Sequence, residues 1–353
     1  MLFLCKKITL ISIFGFLFYA TIEASKHYKK AYIMSHFTMI VFGSDIDEQL
    51  APYNEQSENP EHKEFVSTEA ENMSDYLTKT LKVITLPDGS KTTEYDDKYR
   101  VFDSKTFSSS YVYPEGHTVE EKKFCEHFKT FEQYMKAWCS AEERDGENGE
   151  YGYWTNPNGK WDWYQVGGRW SGFFKLKPGC FGEVGAPGAF DNKPRTGWAD
   201  SVRIKDIDFE YMREDAIKEA NVQYDALEAV LKGRSLVSWK AVLKDCNDDA
   251  DAARIVYNSN QVIKDLKTAN IDVWGDYVEV FKNSRDEYVK SCVDGVGVTF
   301  GFVLEGKWFE KGQMGWFGIS HNEQEQSTWN EAYWKMVESL DPETLMTVVD
   351  CHV

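Results

Sequence analysis

The sequence predicts an α+β fold, and three observations carry that prediction. A short apolar run near the start, FTMIVFG over Phe37–Gly43, reads as a strand buried on both faces. So does TLMTVVDCHV over Thr344–Val353 at the far end. Between them Asp208–Asn270 reads as helix, DFEYMREDAIKEANVQYDALEAVLKG and then DDADAARIVYNSNQVIKDLKTAN, with Gly233 where a helix C-terminus is expected. The expected architecture is a mixed or antiparallel sheet using the N-terminal and C-terminal strands, both central, with a helical insertion. Its divisions are an apolar extension over 1–33 and an α+β domain over 34–353, with 208–270 a helical lobe or subdomain.

The remaining elements follow in order. LKVITLPDGSKTTEY is a hairpin: Val83–Leu86 runs out, Pro87-Asp88-Gly89 turns, and Lys91–Tyr95 returns. Thr118–Ser140 is predicted as a helix, capped by Thr118 with Glu121 three positions on, and striped by Phe124, Phe128, Phe131, Met135 and Trp138. Lys160–Val166 is predicted as a strand, the Gly167-Gly168 pair as a bend, and Trp170–Leu176 as a further extended piece. Pro178–Trp198 is rich in Gly and Pro and reads as irregular. Val296–Leu304 and Lys307–Glu310 form a second hairpin across Glu305-Gly306, and Thr328–Leu340 is an aromatic-faced helix.

Composition excludes several classes. The 353 residues are 42% apolar and 15% aromatic with 9 Pro, which rules out a mostly disordered chain. Lys and Arg number 40 against 58 Asp and Glu, a formal charge of −18. A nucleic-acid groove built from Lys and Arg needs a basic stripe, so no nucleic-acid partner is expected.

Lys6 and Lys7 precede the apolar run Ile8–Ala20, which is short for a membrane span and within signal-peptide range. Cleavage after Ala24 would leave Ile22 where a small residue belongs, and Lys26, Lys29 and Lys30 follow the run, which resists translocation. Export or membrane anchoring through this segment is therefore one reading. A start at Met34 fits better, because MSHFTMIVFGSD leads directly into the first strand. Without the first 33 residues the chain holds 35 basic and 57 acidic residues, a charge of −22. The seven cysteines are widely and irregularly spaced and include no CxxC, so buried free thiols are expected.

The strongest candidate site is the segment KWDWYQVGGRW. On an unbroken strand Trp161, Trp163 and Gln165 would share one face, with Asp162 and Tyr164 on the other. Two indoles beside Gly167 and Gly168, where a ligand can approach the backbone, make a stacking platform, and Arg169 adds a fork for a phosphate or carboxylate. The expected ligand is nucleotide-like or sugar-like. Equally, the rings can fill an aromatic core, with Arg169 structural.

A second, dispersed candidate consists of His36, Asp350 and His352, which converge if the first and last strands pair, with Asp162 as a further acid. Such a set suits proton transfer in a hydrolase or transferase. Strand-end histidines more often cap or face solvent. No local metal motif is present, and neither a metal nor a cofactor is expected. The acids Asp245, Asp248, Asp249 and Asp251 fail as a calcium loop, with Ala250 at its sixth position and Val256 at its twelfth, and fit a helix N-terminus better. GxSxG and GxxxxGK[ST] are absent, and Gly295–Gly301 misses the GxGxxG spacing by one residue.

Three blocks, MSHFTMIVFGSDIDEQLAPY, KWDWYQVGGRWSGF and LMTVVDCHV, resemble a group of uncharacterised tailed-phage and prophage proteins, in which the first block opens the chain. The resemblance covers the ends and centre of Met34–Val353 and does not reach the 208–270 helices. It implies a phage protein in the host bacterial cytoplasm, and it carries over no activity or site residue. Partners consistent with the sequence are a small-molecule ligand, or a basic host protein that this acidic chain binds and inhibits. Membrane contact arises only if residues 1–33 are retained.

Overall fold

A computed structural model describes residues 36–103, 108–113, 115–140, 146, 149–187, 195–271, 281–315 and 320–353. The predicted apolar extension, with its signal and start-site readings, lies outside the described residues. Among them, no helix is long and apolar enough to cross a membrane.

The fold is α+β. The chain forms two compact units, one built from everything up to Asn54 together with everything from Lys160 on, the other from Glu55–Gly159. In the first, seven strands make a mixed sheet: β1 His36–Phe42, β2 Trp163–Gly168, β3 Ala186–Pro187, β4 Ser201–Arg203, β5 Gly301–Leu304, β6 Lys307–Glu310 and β7 Leu345–His352. Their order is β3-β2-β7-β1-β5-β6, and β4 also pairs with β7.

β1 and β7 are central and antiparallel, in register from His36↔His352 to Phe42↔Met346. β5 lies parallel on the other side of β1, and β6 returns from it as the expected hairpin. The free edge of β7 is shared end to end: β4 covers Leu345–Thr347 and β2 covers Val349–His352.

Both central strands read as continuous apolar runs because both faces are covered. On one face Ile40, Phe42, Val202, Phe302, Met346 and Val348 pack against Met212 of α1 (Phe209–Leu231) and Trp329, Tyr333 and Val337 of α2 (Gln326–Ser339). On the other, Phe37, Met39, Val41, Val303, Val349 and Cys351 meet Leu50 and Trp161. Each aliphatic side chain so buried contributes about 1.5–3 kcal/mol of transfer free energy.

α1 has 23 residues and serves two cores. Its Met212 end lies under the sheet, while Ala220 and Leu227 join Val242, Tyr257, Ile263, Leu266 and Tyr288 in a separate helical core.

The Glu55–Gly159 unit corrects one prediction. Thr118–Lys123 is not helical but a strand paired with Thr80–Thr85, and helix follows only at Phe124–His127 and Phe131–Ala137. The pattern TVEEKK is β-compatible, and Glu121, expected in a capping box, instead accepts from Thr80 Oγ1 across the strand pair at 2.6 Å. The real cap is Thr130, whose Oγ1 accepts from the Gln133 N–H at 3.2 Å. Phe124, Phe131 and Met135 of the expected stripe are buried all the same.

Candidate functional site

Alternation along β1, β7 and β2 builds a polar patch from strand ends. On the helix-covered face, Ile40 and Val348 are fully buried opposite one another. Two residues further along the same face come Thr38, Asp350 and Gln165, paired in one row across the three strands. Two more bring His36, His352 and Trp163 into a second row. Directly opposed residues of antiparallel strands share a face, so these six side chains form one array. The first and last strands thus bring the predicted His36, Asp350 and His352 together.

Each imidazole is held by a carboxylate at Nδ1. His36 Nδ1 lies 2.7 Å from Asp350 Oδ1, with Asp350 almost fully buried. His352 Nδ1 bonds Asp162 Oδ1. A carboxylate that is ionised only accepts, so an imidazole facing one donates through Nδ1. The two rings are 5.1 Å apart between centroids, tilted at 67°. Trp163 meets His36 edge to face at 6.1 Å and remains 45% exposed.

Asp350 also fixes the neighbouring loop. Its Oδ2 accepts the Arg169 backbone N–H at 2.9 Å. Burial pulls the half-buried Arg169 guanidinium below its ordinary pKa, while the Asp350 charge acts in the opposite sense.

The aromatic platform expected from the sequence does not form. Trp161 is buried on the opposite face, its Nε1–H donating to the Leu50 carbonyl at 3.1 Å and its ring edge-on to Tyr164. The reason is a bend at Asp162: regular strand begins only at Trp163, so the two indoles fall out of phase. Tyr164 follows Trp161 to that face, where burial, and next its hydrogen bond to Asp47, raise its phenol pKa. Gln165 stays with the polar array. Gly167 and Gly168 do not admit a ligand. Their φ values of 76° and 52° suit glycine, and an added Cβ would stand 2.5 Å from Asp200 Oδ2 and 2.4 Å from Asp350 Cβ respectively. The space belongs to two internal carboxylates.

Asp200 is the group that sequence reasoning missed. It is fully buried, and its carboxylate accepts from Ser171 Oγ at 2.8 Å, the Gly185 N–H at 2.8 Å, the Phe173 N–H at 3.2 Å and the Gly172 N–H. The available signal was a lone acid in the apolar string WADSV, where a charge must find several donors. Thr38 is half-buried in the same polar row, in an otherwise apolar run.

Elsewhere, Asp249 caps the Ala250–Ser259 helix through the N–H groups of Asp251 and Ala252, in keeping with the rejected calcium loop. Among the described residues no group of three or more His, Cys, Asp or Glu is arranged to hold a metal ion. An open depression at the opposite end of β1, lined by Phe42, Asp45, Glu48, Gln49, Gly306 and Thr344, presents no histidine or cation. No protein family, curated protein or solved structure matches the chain.

Proposed function

We propose that this protein is a hydrolase or transferase that works by general acid–base catalysis on a small phosphate ester in the host bacterial cytoplasm. The observation that carries this reading is the pair of imidazole–carboxylate dyads, His36–Asp350 and His352–Asp162, standing side by side on one sheet face. The free thiols of the six described cysteines are in keeping with a reducing compartment.

In the proposed step one imidazole Nε2 takes a proton from an attacking water or acceptor hydroxyl. That oxygen forms the new P–O bond, and the ester P–O bond breaks. The leaving oxygen takes the proton of the other, protonated imidazole, so charge and protons balance. Arg169, whose guanidinium feels the Asp350 charge, is assigned as the cation that attracts the phosphate. Asp350 and Asp162 hold each ring in the tautomer that the transfer needs.

A panel of chromogenic phosphate monoesters, phosphodiesters and carboxylic esters tests the reading. The expected result is turnover of a phosphate ester that His36→Ala and His352→Ala each lower by about 10²–10⁴-fold. Equal turnover in wild type and both variants, or no turnover of any ester, overturns it.

A further inference from the structure

We infer that the ester taken by this site carries a nucleobase, which stacks on Trp163 while its phosphate lies between the two histidines; the inference rests on the acid–base reading and names its substrate class. Trp163 is the register partner of His352 and the edge-to-face neighbour of His36, so its indole borders the proposed reaction centre directly. It is 45% exposed, and among the described residues no aromatic ring lies flat on it. Its counterpart Trp161, two residues earlier, is 7% exposed with its N–H bonded. The fold therefore buries the one indole and presents the other beside the dyads.

Gln165, two residues on and on the same face, is half-buried in the row next to Trp163. A carboxamide there can both donate to and accept from the edge of a base lying on the indole, in the manner of amide side chains reading adenine. The net charge of −18 opposes a long polyanion but not a single phosphate held by one guanidinium, so the ligand is of mononucleotide size. A sugar phosphate shares the phosphate and can touch an indole, but it lacks the flat polar edge that an amide beside the ring would read.

Calorimetric titration of the full chain with adenosine monophosphate, ribose 5-phosphate and inorganic phosphate tests the inference, on wild type, Trp163→Phe and Trp163→Leu. Adenosine monophosphate should bind wild type about 5- to 150-fold more tightly than ribose 5-phosphate, the range expected for one stacked base. Trp163→Phe should keep most of that preference and Trp163→Leu should abolish it, with inorganic phosphate binding alike in all three. Equal affinities for the nucleotide and the sugar phosphate in wild type, or an undiminished preference in Trp163→Leu, overturns the inference. Binding preference is read without turnover. A Trp163-dependent preference with unaltered turnover in the histidine variants would therefore sink the acid–base reading alone, and histidine-dependent turnover without the preference would sink this inference alone.

Discussion

Asp200 and Asp350 lie against the consecutive glycines that end β2, and they use burial in opposite ways. Asp200 spends both oxygens on Ser171, Gly172 and Phe173 of the turn after β2 and on the Gly185 N–H just before β3. Asp350 spends one oxygen on the same turn, at the Arg169 N–H, and turns the other to an imidazole at the border of solvent. The first is a closed set of hydrogen bonds whose effect is rigidity. The second transmits that rigidity to a ring that can exchange a proton. A buried carboxylate is thus not diagnostic by itself, and the chemistry of its last partner decides its role.

Exchanging each acid for its amide separates the two. Asp200→Asn places an N–H where donors already point, and should cost about 3 kcal/mol or more by urea unfolding. Asp350→Asn should cost less, about 1–3 kcal/mol, yet strongly lower the turnover proposed above by releasing His36. Similar stability losses with similar turnover losses would erase the distinction between them. The glycines sharpen it further. Gly167→Ala and Gly168→Ala each combine an unfavourable positive φ with a close contact, at about 1–3 kcal/mol apiece. Only Gly168→Ala displaces the Asp350 carboxylate, so it alone should depress turnover once each variant is assayed well below its unfolding temperature.

The smallest effect concerns Cys351, next to Asp350 but on the opposite, fully buried face. Burial, and then the Asp350 charge, push its thiol well above the ordinary 9.0. Unfolding therefore releases a proton once the pH passes that ordinary value, so stability is unaffected below about pH 9 and falls as the pH rises further. Cys351→Ala should flatten this alkaline decline in unfolding experiments between pH 8 and 10. An unchanged slope would assign the decline to other groups.

These contrasts show what the sequence could convey. The central pairing was legible because FTMIV and TVVDC carry apolar residues at both odd and even positions, a pattern that strands covered on both faces require. Once those strands pair, the convergence of His36, His352 and Asp350 follows from register. The bend at Asp162 was not legible. One irregular residue reverses the facing of everything before it, and KWDWYQ alternates smoothly as text. Thr118–Lys123 was misread because the TxxE spacing of a capping box also occurs by chance in a strand, and the true partner of Glu121 is Thr80 on the neighbouring strand. Asp200 belongs to neither case, because its partners come from loops whose paths no periodicity describes.

The His36–Asp350 contact joins residues 314 positions apart in the chain. A closure of that length costs more chain entropy than any hairpin, and contacts so distant slow the search for the native state. Whatever parts the first strand from the last therefore dismantles the dyad, however intact each stretch of chain between them remains.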